Sequence, residues 1–197
     1  MPETKRHLDQ RTALYVTVRS AFGDRAHVGS EQFVYWSRLD PSQCCAPDVL
    51  VKLGGPDAPF DSWKTWERGA PDLAVEIVSR SDQSDRPWEA KLASYDQLGV
   101  AELVRFDPDD ADRPLRIWNE VEGDLVERDP DDADFARCDT LDLYWVVRAE
   151  PGGLELRLAH DREGRQLLAT PEEARLEAEA RVRELEAELA RLRGAGS

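Results

Sequence analysis

Apolar positions along the chain repeat with two different periods, and the switches between them outline a fold. Residues 3–21 are mostly good helix formers, with Leu8, Ala13, Leu14 and Val18 loosely on one face, and Phe22-Gly23-Asp24 closes that helix. HVGSEQFVYW (27–36) alternates and is rich in β-branched and aromatic residues, which predicts a strand. A DPSQCCAP loop leads to VLVKL (49–53), a second strand. LAVEIV (73–78) is a nearly continuous apolar run, as in a strand covered on both faces. Between these two, GGPDAPFDSWKTWERGAP reads as a long loop whose Trp63 and Trp66 either stack on bases or pin the loop to the domain. Pro87 suits the first turn of a helix that runs to Leu98, with Gly99 at its end. VAELVRF (100–106) predicts a further strand, stopped by Asp107-Pro108. LRIWN and DLVER flank VEG as a hairpin, and DLYWVVR (142–148) pairs with LELRLA (154–159) across PGG. Helix, three strands, helix, strand and hairpins make an α/β domain.

The pattern changes again after Thr170. Thr170-Pro171-Glu172-Glu173 opens a helix, with proline in the first turn and acids at the positive end of the dipole. Val182, Leu185, Leu189 and Leu192 then follow 3, 4, 3 spacing, the a/d seam of a coiled coil. In a parallel homodimer through residues 175–193, Arg181 faces Glu186 of the other copy and Glu188 faces Arg193, both pairs opposite in charge. The competing reading is a single solvated helix, or one folded back on its own domain. The division is therefore a domain over 1–170, a coiled-coil helix over 171–193 and a disordered end at 194–197.

Charge narrows the function. The net charge is −15, of which the tail, with seven acids and five arginines, carries only −2. An acidic domain of this size repels polyanions at long range, which argues against a nucleic-acid coat or a membrane-surface protein. A nuclease remains open, because bound Mg²⁺ neutralises an acidic site. Cys44, Cys45 and Cys138 make neither a disulfide framework nor a zinc spacing, and the odd count fits a reducing compartment. With no apolar leader and no run approaching a membrane span, the expected location is the cytoplasm.

Three residues stand where composition would not put them. Glu76 interrupts LAVEIV, and a carboxylate in an apolar strand is costly unless paired or metal-bound. Asp48 opens the neighbouring apolar strand, so the two acids meet at one edge if the strands pair. Lys91 shares a helical face with Trp88, Tyr95 and Leu98, the stripe that should pack on the sheet. Two acids and a lysine suit phosphodiester hydrolysis. The carboxylates hold Mg²⁺ or Mn²⁺, the metal activates water, and the ammonium orients that water or stabilises developing charge. Each residue also has a plain reading: a buried ion-pair member, a turn residue and a snorkelling lysine. His7, His27 and His160 are isolated, which favours surface or core placement over metal binding. The acids Asp109, Asp110, Asp112 and Asp129, Asp131, Asp132, Asp134 lack calcium-loop spacing and read as solvated turns.

APDVLVKLGG, GAPDLAVEIVSRSD and KLASYDQLGVAELVRFDP together resemble the Uma-two family of bacterial restriction-endonuclease-like proteins. The match runs from about Val28 to Pro108, with weaker agreement along the C-terminal LRLAHDREGRQLLATPEEARLEAEARVRELEAELARLR. The resemblance implies a PD-(D/E)XK nuclease-like central mixed sheet flanked by helices, here with extra C-terminal hairpins and a coiled-coil tail. It also implies a Mg²⁺-dependent endonuclease acting on DNA, with Asp48 and Glu76 as metal ligands and Lys91 completing the catalytic set. The alternative is a catalytically silent nuclease-fold module acting in oligomerisation or partner binding. In the parent motif the lysine lies two residues after the glutamate; Val78 holds that position, so the lysine has moved to the following helix. Asp85 corresponds to the acid that commonly precedes the lysine, two residues further away than usual. Many relatives begin with an acidic strand resembling ELIDGE that this chain lacks, and Glu31 is the candidate to fill its place. The family's aromatic EYW-VDP has become ELVRFDP.

Overall fold

A computed structural model describes residues 4–55, 57–79, 87–128 and 135–195. Asp85 and the acids at 129, 131, 132 and 134 lie outside these residues.

Helix α1 (Lys5–Phe22) starts where Thr4 accepts the His7 N–H on its hydroxyl at 3.3 Å, and it buries Leu14, Thr17, Val18 and Phe22. Leu8 and Ala13, expected on the packed face, are exposed. Leu14 and Val18 are buried as expected and Thr17 joins them, its hydroxyl donating to the Ala13 carbonyl at 2.7 Å. The predicted strand over 27–36 is two strands in different sheets. Strand β1 (Ala26–Gly29) ends at a turn in which Glu31 adopts φ 49°, and β2 (Val34–Tyr35) leaves in a new direction. Strand β3 (Cys44–Cys45) pairs with β2, and β4 (Val49–Leu53) matches its predicted bounds.

The long loop after β4 is not structureless. It carries β5 (Trp63–Lys64), parallel to β2, and a single helical turn α2 (Thr65–Arg68). Trp63 is 1% exposed, donates to the Gly69 carbonyl at 2.9 Å and stacks on His27, so it pins the loop. Strand β6 (Leu73–Ile77) is buried throughout, as its unbroken apolar run requires. Helix α3 (Trp88–Leu98) has Pro87 as its extended cap rather than in its first turn, and Gly99 terminates it at φ 76°, a conformation that favours glycine. Next come β7 (Glu102–Phe106), the hairpin β8 (Leu115–Val121) and β9 (Asp124–Glu127), and β10 (Phe135–Cys138), which periodicity did not reveal. Strands β11 (Leu143–Glu150) and β12 (Gly153–Ala159) form the second predicted hairpin. Helix α4 (Pro171–Ala195) continues through residues 194 and 195, past the expected end of the helix.

The main sheet has the order β1-β4-β6-β7-β8-β9, mixed because only β6 and β7 run parallel. Its pleat separates two cores. Val49, Val51, Leu73, Val75 and Ile77 face α1 and the β10-β11-β12 sheet. Leu50, Ala74 and Leu103 face α3 and the small β3-β2-β5 sheet, against Tyr95, Leu98 and Trp63. No helix among the described residues is long and apolar enough to cross a membrane.

Candidate active site

The pairing of β4 with β6 sets Val49 opposite Val75. One step further in that register puts Asp48 opposite Glu76, on the face that α3 covers, at the carboxyl ends of the two parallel strands. Ligands of open α/β sheets bind at such ends. Asp48 and Glu76 are only 6% and 7% exposed, so each carboxylate depends on its partners. The Asp48 Oδ2 accepts the Ile77 N–H at 2.7 Å, closing the ladder where β4 gives out. Glu76 is held from α3: Lys91 Nζ lies 3.1 Å from Oε2, and the Tyr95 hydroxyl donates to Oε1. Lys91 and Tyr95 are one turn apart, which is why both reach the same carboxylate.

Burial drives the Glu76 pKa up to about 6, the Asp48 charge adds to the rise, and Lys91 and Tyr95 only partly oppose it. Burial and the Glu76 charge together hold the Tyr95 hydroxyl well above its ordinary range, so it stays a donor.

The sheet edge is also reached from the opposite face. His7 Nε2 on α1 lies 2.8 Å from the Ile77 carbonyl oxygen and 3.2 Å from Asp48 Oδ1. One turn along, Arg11 places Nε 3.8 Å from Asp48 Oδ1 and Nη1 3.3 Å from Glu31 Oε2. The sequence thus names Asp48, Glu76 and Lys91, and the fold brings them together. Glu31 sits at the turn after β1, its side chain half exposed on Arg11, and no contact joins it to Asp48 or Glu76 among the described residues. His7, Arg11 and Tyr95 went unrecognised as site residues. Tyr95 was visible on the Lys91 face but read as packing. The i, i+4 spacing of His7 and Arg11 is common on any polar helix surface. The other two histidines are placed as expected, His27 in the core and His160 at the surface.

The donor set fits a hard divalent cation. Asp48 and Glu76 offer carboxylate oxygens and Ile77 offers a backbone carbonyl; the Glu76 pKa is raised first by burial and then by the Asp48 charge, which a bound cation would offset. Among the described residues, no three His, Cys, Asp or Glu side chains form a ready-made metal cluster.

The sequence profile of the Uma2 family, described as putative restriction endonuclease, matches residues 1–150. A crystal structure of a putative nuclease belonging to DUF820 from Anabaena variabilis superposes with a TM-score of 0.51 at 18% identity. The superposition covers 72% of this chain and 76% of that one, a likeness of fold. No protein of curated function matches the chain.

Proposed function

The chain belongs to the Uma2 family, and from that premise we propose that it is a Mg²⁺-dependent endonuclease hydrolysing phosphodiester bonds in DNA. The observation that carries this reading is the meeting of Lys91 with Glu76 at 3.1 Å, with Asp48 opposite in register. Asp48 and Glu76 would hold the cation, Mg²⁺ or Mn²⁺, which when bound lowers the pKa of water and offsets charge on the scissile phosphate. Lys91, a quarter exposed, would turn its ammonium from Glu76 towards the phosphate and stabilise charge that grows in the transition state. Tyr95 fixes the Glu76 carboxylate against rotation, and Asp48 is oriented by the Ile77 N–H. Supercoiled plasmid incubated with Mg²⁺ should be nicked by the wild-type protein and not by folded Lys91→Ala. Nicking that persists in both Lys91→Ala and Asp48→Ala would come from a contaminant and return the chain to the reading of a catalytically silent fold.

A specific observation supports partner binding as well. Val182, Leu185, Leu189 and Leu192 on α4 are 42–64% exposed, an apolar row with no cover among the described residues. The start of α4 is anchored, since Glu173 pairs with Arg157 at 2.8 Å and caps the Thr170 N–H. From that anchor the helix would pair in parallel with a second copy through residues 175–193, using the charge matches at Arg181, Glu186, Glu188 and Arg193.

A further inference from the structure

We infer that His7 is a ligand of the cation and that its imidazole tilts the site towards transition metals; this rests on the metal-dependent reading above. One imidazole nitrogen, His7 Nε2, faces two oxygen acceptors at the sheet edge, Asp48 Oδ1 and the Ile77 carbonyl oxygen. His7 Nε2 stands 3.2 Å from the first and 2.8 Å from the second. Two ligands at right angles, each at the ~2.1 Å bond length of an octahedral cation, lie about 3.0 Å apart. The observed separations are therefore the edges of a coordination shell as well as hydrogen-bond lengths.

A backbone carbonyl only accepts, so Nε2 carries the hydrogen and donates it to Ile77. A cation held by His7 would need the tautomer with its proton on Nδ1, which leaves the Nε2 lone pair available. The histidine is built into position: its side chain is 10% exposed, and Thr4 caps the turn that carries it. A cavity of about 240 Å³ lined by Arg6, His7, Gln10, Ile77, Ser79 and Asp109 opens beside it, so solvent reaches the imidazole. A nitrogen ligand favours Mn²⁺, and more strongly Co²⁺ or Ni²⁺, over Mg²⁺, which prefers oxygen alone.

Mn²⁺ bound to the full-length protein tests the assignment by pulsed electron paramagnetic resonance and titration calorimetry. Directly coordinated imidazole should give ¹⁴N modulation in wild type. His7→Gln keeps a donor for the Ile77 carbonyl, and it should lose the modulation and bind Mn²⁺ at least about tenfold more weakly, while Mg²⁺ binding changes less. Unchanged or tighter Mn²⁺ binding by His7→Gln, with Asp48→Asn abolishing it, would overturn the His7 assignment and leave the metal site standing. Absence of Mn²⁺ binding by wild type would overturn both.

Discussion

Two glutamates are buried in the apolar interior of neighbouring strands, and they lead different lives. Glu76 sits at the carboxyl end of β6, and Glu102 at the amino end of β7, 1% exposed. Burial raises the pKa of both. Around Glu76 the partners are titratable: Asp48, Lys91 and Tyr95. Around Glu102 the fold supplies hydrogen bonds, and the charges of Asp139 and Arg128 act on the carboxyl in opposite directions. Its Oε2 accepts the Thr140 N–H at 2.9 Å and the Cys138 thiol at 3.8 Å, tying the turn between β10 and β11 to the main sheet. Its Oε1 has no hydrogen-bond partner among the described residues. A buried acid in a strand is thus not a functional signal by itself. Its neighbours decide, and a like charge opposite with a lysine on the covering helix is what separates Glu76 from Glu102.

The comparison breaks most sharply on activity. Asp48→Ala, Glu76→Ala and Lys91→Ala should each lower Mg²⁺-dependent plasmid cleavage by about 10²–10³-fold, whereas Glu102→Gln should leave the rate unchanged. Stability should respond in the opposite order. Glu102→Ala strands the Thr140 N–H and leaves a void, costing about 2–4 kcal/mol in urea unfolding, while Glu102→Gln, which keeps an acceptor, costs less.

The pH dependence gives a finer test. With its folded pKa raised to about 6 from 4.5, Glu76 favours the fold fully below pH 4.5 and loses that contribution as pH rises through 6. In metal-free protein, Glu76→Gln should therefore be more stable than wild type at pH 8 by about 2 kcal/mol, a gain absent at pH 4.5. Glu102 has the same sign of shift, so pH alone does not separate the two. Mg²⁺ does: it should raise the melting temperature of wild type and of Glu102→Gln but not of Glu76→Gln. The smallest effect lies far from both acids. Ending the chain at Thr170 should leave cleavage per domain unchanged while converting a sedimenting dimer to monomer; if the full-length protein also sediments as a monomer at micromolar concentration, the tail does not dimerise.

The sequence made Glu76 legible because a charge inside LAVEIV breaks a strong pattern. Glu102, inside VAELVRF beside Arg105, gives no such contrast, because that strand carries a second charge. Register followed from hydrophobic continuity in β4 and β6, so the meeting of Asp48 with Glu76 was foreseeable. The turn at Glu31 was not, because the alternation of HVGSEQFVYW runs on across Gly29-Ser30, the local mark of the break. Strand β10 of the second sheet has four residues and the three strands of the small sheet have two each, too short to show a period. His7 and Arg11 reach the site only because α1 crosses the sheet edge, a tertiary fact that local spacing does not encode.

The central claim is that Asp48 and Glu76 share a cation that Glu102 has no part in. Calorimetric titration of Mg²⁺ into wild type, Glu76→Ala and Glu102→Gln tests it most directly. Wild type and Glu102→Gln should bind alike and Glu76→Ala should not bind; equal binding by Glu76→Ala and wild type would remove Glu76 from the site.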